Sequence, residues 1–207
     1  MKFLSYDGPL AQIIRYLWNL FLLNICIFLC CLPVVTAGAS LTAAYSVFLT
    51  SSEQSGVIGR FFRAFRENWK QATVIWLAFL AAAALLTLDW YFLISYSFAG
   101  SAVLTVVTAI LSVLYLSVIS YVFPLQARYD NPPKVTVKNA VVLGIFWVLS
   151  GLLMGLVTLF PVIMFFVDIE VFLRVIAIWL PMGGALQIQI NALIVQRVFR
   201  KVQPETR

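Results

Sequence analysis

Residues 90–127 read WYFLISYSFAGSAVLTVVTAILSVLYLSVISYVFPLQA, and not one of them carries a charge. A soluble helix of that length would need a solvated face of Lys, Glu, Asp or Arg. None is present, so the solvent on every side must be hydrocarbon. About twenty apolar residues cross the ~30 Å core of a bilayer. The stretch therefore holds the end of one span, a short turn at 95–101 containing Gly100, and a whole further span over 102–125.

The same character extends outward in both directions. Residues 16–52 and 139–167 are also free of charge. Hydrophobic residues make up 63% of the 207 positions, charged residues only 11%, and the mean hydropathy is +1.00. These charges are too few to coat a water-facing domain. We expect an all-α, polytopic helical bundle forming a single membrane domain over 1–207, with spans at about 16–35, 72–94, 102–125, 140–166 and 172–195. Leu20–Leu32 followed by Thr36–Ala39 resembles a cleavable signal, but the apolar stretch is long and Asp7 lies beside Lys2 and Arg15, which favours a retained anchor.

Two segments depart from the simple span. Residues 36–50 mix Thr36, Ser40, Thr42, Ser46 and Thr50 with apolar positions, and fifteen residues make only ~22 Å of helix. A short helix dipping into the membrane is the first expectation and a sixth span the alternative. Residues 57–70 place Val57, Ile58, Phe61, Phe62, Phe65 and Trp69 on one face and Arg60, Arg63, Glu67 and Lys70 on the other, with Arg66 at the boundary. That is the pattern of an amphipathic helix lying at the cytoplasmic headgroup surface or docked on a partner.

Lys and Arg fix the expected orientation. They gather at 60–70, at 128–138 and at 197–207, and are nearly absent from the alternate connections. By the positive-inside rule these three clusters are cytoplasmic. Five spans then put the N-terminus outside; a sixth would put it inside. Anionic lipid and topology account for the net charge of +6 better than nucleic acid does.

The chemistry of catalysis is missing. The chain has no histidine, and Cys26, Cys30 and Cys31 lie on one short segment, so a metal or haem site has no ligand set and no cofactor is expected. No phosphate-binding glycine loop or paired-carboxylate motif appears. No span carries an acidic or basic residue at its centre, and Asp89, near the end of the second, is expected to pair with Arg174. Packing devices are plentiful instead. Gly151 and Gly155 have GxxxG spacing, suited to a helix pair within the chain or in a homo-oligomer. Gln187 and Asn191 share a face of the last span and suit interhelical hydrogen bonds or a partner contact. Pro33 with Gly38, and Pro181 with Gly183 and Gly184, mark expected breaks.

Three stretches resemble the YesL-like family of bacterial membrane proteins. They are Phe3–Pro9 (FLSYDGP), Cys31–Ala43 (CLPVVTAGASLTA) and Phe62–Ala72 (FRAFRENWKQA). The resemblance implies a plasma-membrane protein encoded beside carbohydrate ABC importers, and brings no catalytic residues with it. The reading is a non-catalytic accessory or assembly subunit that packs on permease helices in the bilayer. Its contact residues would be Phe61, Phe62, Arg63, Phe65, Arg66, Asn68, Trp69, Gly151, Gly155, Gln187 and Asn191. A stand-alone small-solute transporter or channel is the alternative.

Overall fold

Hydrocarbon offers no partner for an open amide, so a chain crossing it must pair its backbone internally. The protein does so with helices alone. The computed structural model describes residues 8–50, 56–96 and 100–202, and no strand occurs among them. Asp7, most of the Phe3–Pro9 stretch, loop residues 51–55 and the tail from Gln203 lie outside the described residues.

Among the described residues seven helices follow one another: α1 (Pro9–Cys31), α2 (Ala37–Leu49), α3 (Val57–Ser95), α4 (Ser101–Arg128), α5 (Pro133–Phe146), α6 (Val148–Val167) and α7 (Ile169–Val202), with a 3-10 turn at Val34–Thr36. Four of them, α1, α3, α4 and α6, are long and apolar enough to cross a membrane, and α7 is a fifth if its two bent legs form one span. The protein is a multi-pass helical membrane bundle.

Contacts between helices give the direction of each leg. Asn24 of α1 meets Leu180 and Ala185 of α7, and Tyr16 meets Gln189, so these two helices are antiparallel. Gly38 of α2 abuts Ala72 and Trp76 of α3, whereas Val47 meets Arg60, again antiparallel. Phe48 of α2 meets Gln196, so α2 runs with α7 and against α1. The chain therefore returns along α2. With that return, both α1's start and α7's finish lie at the end that holds the basic clusters, although α2 itself, at 13 residues, is not among the helices long enough to cross a membrane.

The short α2 lies inside the bundle. It is sheathed by α1, α3, α4 and α7, with Ala39, Ser40, Thr42, Ala43 and Ala44 fully buried. Its small side chains suit that position, since they let four neighbours approach closely. Gly38 is the tightest point, where an added Cβ would stand 2.7 Å from the Ala72 carbonyl and 3.1 Å from the Phe123 ring.

Three expected boundaries change. The charged helix over 57–70 forms, but as the first turns of the 39-residue α3, with no break before the span. At 1.5 Å per residue α3 is about 58 Å long, nearly twice a hydrocarbon core. The loop after α4 is shorter than expected, because Pro133 starts α5 at the position where a missing N–H costs nothing. The fourth span, expected as one helix over 140–166, is divided at Trp147 (φ −120°, ψ 38°). Hydroxyls of α4 stabilise that break: Ser117 donates to Gly144 O at 2.9 Å and Tyr121 to Trp147 O at 2.9 Å.

Gly144, Gly151 and Gly155 all spend their lack of a side chain on α4. A Cβ on Gly144 would sit 3.0 Å from Val118 Cα, one on Gly151 would collide with Ser117, and one on Gly155 would lie 2.7 Å from Leu116. The GxxxG pair is an internal joint, not a face left open for a second copy. Gly155→Leu is expected to lower stability in detergent by about 1–3 kcal/mol through overpacking. A melting curve unchanged from the parent protein would contradict this joint. The α2 return leg is tested separately by single cysteines, in a background with Cys26, Cys30 and Cys31 replaced, at Gln12 and at Arg200. Both should react with a membrane-impermeant maleimide from the same side; labelling from opposite sides would remove the return.

Candidate functional site

Polar groups in an apolar bundle concentrate in two places. The first is the break in α7. Proline at 181 cannot donate to the carbonyl of residue 177 and its ring crowds that turn. The helix axis bends by 85° between its legs 169–177 and 179–202. Asn24, only 1% exposed, crosses from α1 and meets α7 on both sides of Pro181. Its Nδ2 donates to Leu180 O at 2.7 Å and its Oδ1 accepts from Ala185 N–H at 3.0 Å. Gly184 makes room, since a Cβ there would stand 2.8 Å from Asn24 Oδ1, and Gly183 lies under the Trp179 indole. Pro181, Gly183 and Gly184 thus lie beside the bend, with Asn24 of α1 as their partner. Pro33 and Gly38 flank the α1–α2 turn, closed by Thr36 Oγ1 donating to Cys30 O at 2.7 Å and by Trp76 Nε1 donating to Val34 O at 2.7 Å.

The second place is the basic end. A cavity of about 500 Å³ opens between the last turn of α2, the first turns of α3 and the α4–α5 connection. Its polar lining includes Ser46, Arg60, Arg63, Glu67, Arg128 and Asp130. Its wall continues into a buried amide network. Gln126, 2% exposed, donates to Gln71 Oε1 at 2.8 Å and to Asn68 Oδ1 at 3.3 Å, and accepts from the Thr136 hydroxyl at 2.8 Å. The network ties α3, α4 and α5 together and uses both the donor and the acceptor of Gln126. Arg128 is held against aromatic rings, its guanidinium 5.8 Å from the centre of Tyr129 and 5.3 Å from that of Phe199. These contacts bring the C-terminal turns of α2, α4 and α7 and the first turns of α3 and α5 to one end.

The residues expected to meet a partner divide sharply. Phe61 is completely buried, Phe65 is half-buried, and Asn68 is engaged by Gln126. Gln187 donates to Val157 O at 2.7 Å and Asn191 to Thr158 Oγ1 at 2.9 Å, both joining α7 to α6. Gly151 and Gly155 are covered by α4. What stays outside is a narrower stripe of α3: Ile58 (41% exposed), Phe62 (47%) and Trp69 (46%), beside exposed Arg63, Arg66 and Lys70. The sequence merged this stripe with the buried one, because 57 and 58, or 61 and 62, are only 100° apart on a helix.

The Asp89–Arg174 pair does not form. Arg174 instead meets Glu170 one turn away at 3.5 Å, with both side chains largely exposed, and Asp89 is exposed. Asp168 does what the sequence did not suggest: its Oδ1 accepts from the N–H groups of Glu170 and Val171 at 2.8 and 3.2 Å, capping α7. Among the described residues no group of His, Cys, Asp and Glu is arranged to hold a metal ion.

The family described as "Protein of unknown function, DUF624" matches residues 13–90, which cover most of α1, all of α2 and most of α3. No curated protein and no solved structure matches the chain.

The Asn24 bridge makes a direct prediction. Asn24→Ala removes two buried hydrogen bonds between α1 and α7, which should cost about 1–3 kcal/mol. Thermal unfolding in detergent measures it; Asn24→Ala as stable as the parent would show that the α7 break needs no partner.

Proposed function

We propose that this protein is a non-catalytic subunit that docks on other membrane proteins through the outer stripe of α3, with its basic end in the cytoplasm. The observation that carries the reading is what remains uncovered after internal packing. The glycine and amide faces are consumed within the bundle, while Ile58, Phe62 and Trp69 stay exposed beside Arg63, Arg66 and Lys70. Aromatic and arginine side chains are the usual anchors of protein interfaces. The positive-inside rule supports the orientation, since the basic clusters share one end.

The resemblance of residues 31–43 and 62–72 to the YesL-like family, both within the matched 13–90, points to a partner class: the permease helices of a carbohydrate ABC importer. A stand-alone transporter or channel is less well supported. The cavity at the basic end meets a hydrogen-bonded amide network, and the spans carry no central charge to couple an ion.

Affinity purification from the native membrane tests the reading. The parent chain should bring down permease components, and Phe62→Ala/Trp69→Ala should recover them at least about fivefold less, given ~1 kcal/mol or more per lost aromatic anchor. Recovery of the parent chain alone would end the proposal, as would solute flux into vesicles containing only this protein.

A further inference from the structure

The cavity at the basic end is lined by Arg60, Arg128, Glu67 and Asp130, which do not pair with one another. Arg60 lines it from α3 with a single hydrogen bond, from Nη1 to Val47 O at 3.3 Å, and its Nε is buried with no partner among the described residues. Arg128 lines it from the end of α4, resting on aromatic rings. Glu67 and Asp130 line the same cavity, yet neither forms an ion pair with Arg60 or Arg128. Withdrawing a guanidinium from water without a counter-charge is costly, and Arg60 is so withdrawn at its Nε; Arg128 and the carboxylates of Glu67 and Asp130 stand exposed around the same space, which leaves room for a ligand to complete them.

The arrangement has two signs, and so must the ligand. Guanidiniums present forked donors that match phosphate oxygens. The carboxylates of Glu67 and Asp130 accept hydrogen bonds, and the carbonyl ends of α2 and α4 add partial negative charge. Hydroxyl or ammonium groups suit that side. A volume of about 500 Å³ lies within the usual range for small-ligand sites.

We propose that this cavity binds a phosphate ester bearing hydroxyl or ammonium groups. The phosphate sits against Arg60 and Arg128, and the donor groups face Glu67 and Asp130. Two sources carry that chemistry: the headgroup of a phospholipid entering from the bilayer, and a soluble ester of the same type. The outer stripe of the same α3 turns, with Trp69 and Lys70 exposed, suits headgroup depth and brings lipid close to the cavity.

The test uses the full chain, delipidated in detergent, with melting temperature as the readout. Dioctanoyl phosphatidylglycerol and phosphatidylethanolamine serve as lipid probes; glycerol 3-phosphate and phosphoethanolamine serve as soluble probes. A saturable rise with at least one probe is expected, weakened about tenfold or more by Arg60→Gln/Arg128→Gln. A rise with the lipids alone assigns the ligand to the bilayer, and a rise with the soluble esters assigns it to water. If the double variant does not fold, Arg60→Lys, which keeps the charge and removes the fork, takes its place and should also weaken the rise. No rise with any probe, or the same rise with the variants, overturns the proposal.

Discussion

A main-chain carbonyl or amide left open in hydrocarbon costs several kcal/mol, and that constraint organises this protein. Uninterrupted helices meet it without help. The interesting positions are those where a helix stops or bends in apolar surroundings, because there a side chain from elsewhere has to arrive. Asn24 meets α7 on both sides of Pro181, Ser117 and Tyr121 cover the α5–α6 break, and Thr36 and Trp76 close the turn between α1 and α2. Most of these bonds join one helix to another, so closing a break also fixes how helices sit against one another.

Close approach is the second consequence. Without a hydrophobic driving force between helices in lipid, packing and hydrogen bonds must hold the bundle together. Gly144, Gly151 and Gly155 bring α5 and α6 onto the backbone of α4, and Gly38 brings α2 onto α3. Since these surfaces are consumed inside, much of the outward face consists of long apolar side chains suited to lipid. The first turns of α3 carry aromatic and basic groups outward while their opposite edge, Phe61 and Ala64, packs inward. That helix therefore serves the bundle and its surroundings at once.

Much of this was legible in the order of residues. The helical spans and their rough positions follow from uncharged runs, because a charge cannot be hidden in oil cheaply. The breaks at Pro33 and Pro181 follow from proline's missing N–H, and the common side of the three basic clusters follows from their alternation with the spans. The amphipathic character of 57–70 was visible too, although its two adjacent apolar stripes looked like one. Other features were out of reach. The partner of each polar residue, the α5–α6 division at Trp147 and the cavity between α2, α3 and α4 depend on residues far apart in the chain, such as Thr136 with Gln126 or Asn24 with Ala185.

The sequence by itself determined the solvent, the helical class and the end at which positive charge collects, since each depends on composition within one segment. The tertiary structure alone decided that α2 turns back through the middle of the bundle, that the glycine pair faces α4, and which aromatics of α3 remain outside. The physical reason is that burial and hydrogen-bond partnership are properties of a neighbourhood. A residue's own chemistry says what it needs, and only the packing of distant helices says which neighbour supplies it.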